Sequence, residues 1–301
     1  MGSSPTPGTF LTNLLLEAIG STLAISLFDV QFGLNIGPWE NDKLVPCLTK
    51  LTRLGYNGVE VTINTYDNYG DRLTVLQEIV DDVGIEIVSY VLDMNFYDLS
   101  RDFSILDQFQ KVASFIQSMG GKYIIVEQGL PPANNADIDT QLNDFEKAVT
   151  DFSGICVDSG VELIFHPTPN SFISNNEIMD RMVELIYPLG ARICLDVCDF
   201  LKMGVHPIQF MKKYFDAVKI VHLNDMKILK GKKSWMINPP EQTLLGQGRV
   251  DINSIWTYLQ ANEYKGWVIA SCPEDATLEE GIDKTTHFIN KELEVFLTNM
   301  L

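Results

Sequence analysis

Two of the four histidines in this 301-residue chain close short apolar runs, His166 in LIFHPTPN and His222 in IVHLND. A third run, ICLDVCD, closes on Asp196 with Asp199 three residues on, and a fourth, IIVEQG, closes on Glu127. Asn224 and Asp225 follow His222 directly. Imidazoles and carboxylates at neighbouring strand tips can hold a borderline divalent ion such as manganese, zinc, iron or cobalt. The same groups can serve as general acid and base in proton transfer. A single buried histidine or aspartate is more often a hydrogen-bonded core group than a ligand. What favours chemistry is that two of only four histidines end apolar runs in the same way; His206 and His287 fall in helical or loop context and read as ordinary surface groups.

Such groups must be carried by a frame. Apolar, β-branched runs alternate with amphipathic stretches along the whole chain, which is the pattern of βα units around a parallel sheet. Eight strands are predicted, at 23–28, 58–63, 85–91, 122–127, 161–166, 191–196, 217–222 and 266–271. Helices are predicted at 43–54, 72–83, 103–119, 138–159, 177–187, 207–215, 252–262 and 278–297. Glycines that suit helix C-caps precede several strands, among them Gly84, Gly160 and Gly190. The fold class expected is α/β, a single (β/α)8 barrel, in which strand ends converge at one mouth and loops after the strands carry function. No linker or low-complexity segment divides the chain, so one domain over 1–301 is expected, with 1–20 as a leader or an extra N-terminal helix. The irregular stretch Met226 to Val250 follows a strand and reads as a lid or substrate loop.

Composition narrows the function. Forty acidic against 22 basic residues give a formal charge of -18, which repels polyanions and argues against nucleic acid as a partner. The five cysteines, Cys47, Cys156, Cys194, Cys198 and Cys272, are scattered and form no C-x-x-C pair, so a reducing cytoplasmic setting is expected. The apolar stretch 10–28 is interrupted by Asn13, Glu17 and several Ser and Thr, and no basic region precedes it, so neither a membrane span nor a signal peptide is read there. Met1-Gly2-Ser3-Ser4-Pro5-Thr6 fits a loose myristoylation pattern but reads as a flexible leader. The partner expected is a small-molecule substrate, with self-association left open.

The segments FHPTPNSFISNNEIMDRM, CLDVCD, VHLND and LGQGRVDINSIWTYLQANEYKGWV together resemble the superfamily of xylose-isomerase-like barrels, which includes sugar isomerases, epimerases and endonuclease-four relatives, and within it the inosose-dehydratase-like branch. The likeness covers nearly the whole chain. It implies a divalent metal at the tips of the fifth to eighth strands, polarising a substrate carbonyl and hydroxyl. Position by position, Asp196 matches the sixth-strand aspartate, His222 the seventh-strand histidine, and His166 the fifth-strand tip. Asp199 stands where relatives show the histidine of Asp-x-x-His. At the eighth strand, Gly-Trp-x-x-x-Glu of the relatives becomes Gly266-Trp267-Val268-Ile269-Ala270-Ser271, and Glu274 or Asp275 is the nearest carboxylate.

The expected function is an isomerase, epimerase or dehydratase abstracting a proton next to a carbonyl of a small polyhydroxylated or keto substrate. His166, Asp196 and His222 are the expected metal ligands; Glu127, Asp199 and Glu274 the acid/base candidates; His166, Asn224 and Trp235 substrate contacts, with Trp235 or Phe32 as cover. The alternative is a barrel with a degenerate metal site, acting by metal-free acid/base chemistry on a less polar compound or as a non-catalytic binding subunit. Aromatics placed near the expected mouth, Phe28, Phe32, Tyr90, Phe96, Tyr97 and Phe172, would suit that ligand. The DNA-repair branch is set aside, because its extra histidines are missing and the charge is unfavourable.

Overall fold

The computed structural model describes residues 30–37, 43–93, 104–127, 137–169, 171, 173, 175–227, 240–273 and 277–300. In chain order the elements are β1 (Gln31–Asn35), α1 (Leu44–Arg53), β2 (Gly58–Thr62), α2 (Asn64–Tyr69), α3 (Leu73–Val83), β3 (Glu86–Asp93), α4 (Ser104–Ser118), β4 (Tyr123–Glu127), α5 (Ile138–Ser159), β5 (Glu162–His166), α6 (Asn176–Ile186), β6 (Arg192–Asp196), α7 (Val197–Lys202), α8 (Pro207–Tyr214), β7 (Val218–Leu223), β8 (Asp225–Lys227), β9 (Glu241–Thr243), α9 (Ile252–Ala261), β10 (Trp267–Ala270) and α10 (Leu278–Met300).

Eight strands close a barrel in the order β1-β10-β7-β6-β5-β4-β3-β2, and every neighbouring pair is parallel. This is the (β/α)8 architecture. Parallel strands need a crossover between them, and the helices supply it while covering the outer face.

The first strand differs from expectation. Residues 23–28 lie outside those described, and the barrel begins instead with QFGLN at Gln31–Asn35. Those five residues do not form a continuous apolar run, because their inward positions must be small or polar. A Cβ on Gly33 would come within 2.7 Å of Ile269 Cδ1, and one on Gly58 within 2.4 Å of Val88 Cγ2 and 2.9 Å of the Trp267 ring. Glycine on β1 and β2 thus admits the bulky residues of β10 to the barrel interior. Two further elements were not anticipated: α2, whose sequence NTYDNY carries no helical apolar stripe, and the antiparallel hairpin β8–β9 inside the stretch expected to be irregular.

Side chains alternate across each strand. The outward set, with Phe32, Leu34, Val59, Val61, Tyr90, Phe165, Leu195 and Val221, joins the helices in the main core. Phe32 packs against Tyr56 and Trp256, and Tyr90 against Phe115, so neither aromatic reaches the mouth; both are core residues. The inward set forms a smaller cluster of Val88, Tyr123, Ile125, Ile164, Cys194, Ile220, Trp267 and Ile269. Above it, at the C-terminal strand ends, the interior turns polar. No described helix is long and apolar enough to cross a membrane.

Candidate metal and acid/base site

The inward alternation that buries Ile164, Cys194 and Ile220 places His166, Asp196 and His222 two residues higher on the same faces of β5, β6 and β7. All three are nearly buried, at 5%, 6% and 4% exposure. One donor atom of each lies within 4.8 Å of the others, and the two imidazoles stand edge to face, their centroids 5.5 Å apart.

Beneath them lies a residue that was not singled out from the sequence. Glu60, wholly buried in GVEVT of β2, sits 2.9 Å from His222 Nε2 and accepts hydrogen bonds from Ser89 Oγ at 2.8 Å and Asn35 Nδ2 at 2.7 Å. Ser89 reaches it because the β2–β3 register shifts between Val59 and Glu60. The available signal was alternation: with Val59 and Val61 outward, the lone carboxylate between them had to point into the barrel. Burial pushes the Glu60 carboxyl up, but the His222 imidazole and the three hydrogen bonds outweigh it and hold the group below the ordinary carboxylate range. An ionised carboxylate only accepts, so Nε2 of His222 carries the proton. Nδ1 is left facing Asp196 Oδ2 across 3.8 Å, too far for a hydrogen bond.

His166 lies between two carboxylates, Nδ1 3.5 Å from Glu127 Oε1 and Nε2 3.4 Å from Asp199 Oδ2. Neither ring nitrogen makes a hydrogen bond among the described residues. Desolvation favours neutral imidazoles at both positions, but for His166 the Asp199 and Glu127 carboxylates, and for His222 that of Glu60, overcome it and raise both above the ordinary histidine value. His166 in turn lowers Glu127, against a smaller opposing effect of burial. Asp199 is pushed up by burial but ends low through His166 and through Lys202, whose Nζ donates to Oδ1 at 2.9 Å. Asp196 goes the other way, raised by burial and by the Asp199 charge.

Asp196 also caps the short helix α7, its Oδ1 accepting from Asp199 N–H at 2.8 Å. Asn224 donates to Asp196 Oδ2 at 2.7 Å and accepts from Cys198 N–H at 3.0 Å, so both ends of its amide are engaged by protein. Asp225 serves the adjoining loop: its carboxylate accepts from the N–H groups of Met226, Gly246, Gly248 and Val250. Trp235 and Glu274 lie outside the described residues, as do Asp275, Phe28, Phe96, Tyr97 and Phe172. His206 and His287 are exposed and away from the cluster, at the start of α8 and on α10.

The donor set fits a divalent ion. Two buried imidazole nitrogens lack a hydrogen bond, a third imidazole nitrogen is turned toward a buried aspartate, and its ring is fixed from behind by a carboxylate, the usual outer-sphere support of a metal-bound histidine.

A parallel barrel with convergent polar groups at its C-terminal mouth defines a class of barrel proteins built around a site at the strand ends. The chain belongs to the xylose isomerase-like TIM barrel family, whose model matches residues 48–292. It is 22% identical to an inosose dehydratase of Geobacillus kaustophilus (strain HTA426), over 86% of this chain and 96% of that one. Among solved structures it is similar to the IOLI protein with a bound zinc atom, with a TM-score of 0.71 and 17% identity over 89% of this chain and 99% of that one. It is also similar to a probable 3-DHS dehydratase of Bacillus anthracis, AsbF, with a TM-score of 0.66 and 12% identity over 89% of this chain and 99% of that one.

Proposed function

We propose that the protein is an enzyme that abstracts a proton next to a carbonyl of a small cyclic or open-chain keto-polyol, and that dehydration of an inosose-type ketone is its reaction. Isomerisation or epimerisation of a similar ketone shares the first step. The observation that carries this reading is the convergence of His166, Asp196 and His222, with both nitrogens of His166 unbonded between two carboxylates. A divalent ion held by these three residues would act as the electrophile on the substrate oxygens and so acidify the neighbouring C–H.

The chain's own groups do the rest. Glu127 is the more accessible carboxylate, its side chain 36% exposed, and it is held ionised by His166; it is placed to take the proton. Asp199, oriented by Lys202 and facing His166 Nε2, stands on the other side of the ring and is placed to manage the proton of the departing hydroxyl. In the dehydration the α-C–H bond breaks with its proton taken by Glu127, the β-C–O bond breaks, a C=C bond conjugated to the ketone forms, and the hydroxyl leaves as water with the proton returned from Glu127, while ionised Asp199 orients the departing hydroxyl by accepting its O–H. Glu274 remains an acid/base candidate from the sequence. The apolar floor under the site and the buried Glu60 keep bulk water from the lower face of His222.

The test incubates purified protein with an inosose in deuterated water, with and without a chelator, following enone absorbance and α-deuterium incorporation. Turnover or exchange that chelation abolishes and zinc, cobalt or manganese restores is expected. Neither dehydration nor exchange across a panel of keto-polyols and keto-sugars would overturn the reading.

A further inference from the structure

A cleft of about 350 Å3 opens between the end of α7, the first turns of α8 and α9, and strand β8. None of Glu60, Glu127, His166, Asp196, Asp199 or His222 lines it. Its floor is apolar, with Pro207, Met226 and Ile255 buried there and Ile208 beside them. The rim is polar and carries Arg249, an exposed residue whose guanidinium makes no hydrogen bond or ion pair among the described residues.

That guanidinium is mounted on a fixed stretch of backbone. The N–H groups of Gly248 and Val250, on either side, donate to the Asp225 carboxylate at 2.7 and 3.0 Å, and the Arg249 N–H itself donates to Met226 O at 3.1 Å. The nearest carboxylate along the chain, Asp251, is engaged elsewhere. Its Oδ1 accepts from the Ser254 N–H at 3.1 Å and its Oδ2 from the Ser254 hydroxyl at 2.7 Å, which caps α9. A cation held in place above an apolar floor is the combination by which a pocket fixes one charged group of a small molecule and buries the rest.

We propose that this cleft is a second ligand site, for a small monocarboxylate with an apolar body of about one or two rings, the carboxylate paired with Arg249 and the body laid on Pro207, Met226 and Ile255. The site is independent of the reaction proposed above. The chemistry of rim and floor sets the ligand class. Guanidinium N–H groups match a planar carboxylate two by two, at roughly twice the strength of neutral hydrogen bonds. The Asp251 charge at the rim and the formal charge of -18 on the chain weigh against a phosphate dianion. The volume lies at the small end of the range for ligand pockets, which suits a compact ring body.

The experiment titrates full-length protein, isotope-labelled at the methionine methyls, with naphthoate; naphthalenemethanol and inorganic phosphate serve as the neutral and dianionic controls. Naphthoate should saturate a single site with a shift of the Met226 methyl signal, and should bind roughly 10-fold or more tightly than either control. Arg249→Gln should weaken naphthoate binding by roughly 10-fold or more, and Arg249→Lys, which keeps the charge but loses the planar fork, by less. Ile208→Trp, which fills the cleft, should abolish binding. Unchanged Tm in Arg249→Gln is expected, since its guanidinium has no partner among the described residues to lose. Absence of saturable binding, an undiminished affinity in Arg249→Gln, or a control that binds as tightly as naphthoate would each overturn the inference. Shifts confined to His166 and His222 would overturn it as well, by placing the ligand at the barrel mouth.

Discussion

Asp196 and Asp225 end consecutive stretches of the same barrel mouth, both are buried, and they do different work. Asp225, 1% exposed, accepts four backbone N–H bonds, from Met226, Gly246, Gly248 and Val250 at 2.7 to 3.1 Å, and clasps the loop after β9 to the foot of the hairpin. The fit is close enough that a Cβ on Gly248 would lie 2.0 Å from its Oδ1. Asp196 accepts two bonds and then faces an imidazole it does not hydrogen-bond, with its pKa raised by burial and by Asp199. A carboxylate saturated by backbone donors is architecture; one left short of donors among imidazoles is available to an ion.

Exchanging the two aspartates for alanine should therefore separate stability from binding. Asp225→Ala strands four backbone donors, and even partial rescue by water leaves an expected loss of about 3–5 kcal/mol in chemical denaturation with zinc affinity unchanged. Asp196→Ala should reverse the pattern, with zinc affinity falling by roughly 100-fold or more and the unfolding free energy moving by no more than about 1–2 kcal/mol. Equal stability losses in both variants would erase the distinction.

Glu60 sharpens the comparison, because it would act on the proposed ion through His222. Glu60→Gln should weaken zinc binding by about 10–100-fold without removing a ligand. Competition titration checks this; an unchanged affinity would show that the tautomer of His222 does not depend on Glu60.

The pH dependence follows from signs. His166 and His222 are raised above 6.5, so their contribution to the metal-free protein is fully present below that value and is lost as pH climbs through the folded values. Glu60, Glu127 and Asp199 are lowered, so theirs is present above the ordinary carboxylate range and lost on acidification. Calorimetry on metal-free protein should show Tm falling as pH rises above the ordinary histidine value of about 6.5. Saturating zinc should flatten that decline, since a bound ion needs the imidazoles neutral. A metal-free Tm that stays level over that range contradicts the placement of the two histidines against carboxylates.

The smallest effect expected is none. With a formal charge of -18, duplex DNA should show no shift at micromolar protein and physiological salt. A salt-sensitive shift would contradict it.

Much of this frame was legible because most of the strands are apolar runs bounded by turn residues, several of them ending in a conspicuous polar residue. The first strand escaped because QFGLN gives its inward positions to Gly33 and Asn35, whose justification, the bulk of Ile269 and the carboxylate of Glu60, lies on other strands. His166, Asp196 and His222 could be read from strand-end position alone. Glu60 could not be weighted without knowing that β2 and β7 face each other across the interior, 162 residues apart in sequence. The distinction between Asp196 and Asp225 was equally hidden, since it depends on which backbone N–H groups the loop returns to the strand end.

Trp267, seated in the space that Gly58 leaves and 2% exposed, closes the barrel interior below the polar layer. The mouth is thus a cup with a floor, and a proton lifted from a substrate by the proposed reaction would have no exit downward. Whether it returns to carbon or is lost to solvent becomes a race between chemistry and exchange at the rim. Label retained from one carbon of the substrate to the next would measure how well the cup is sealed.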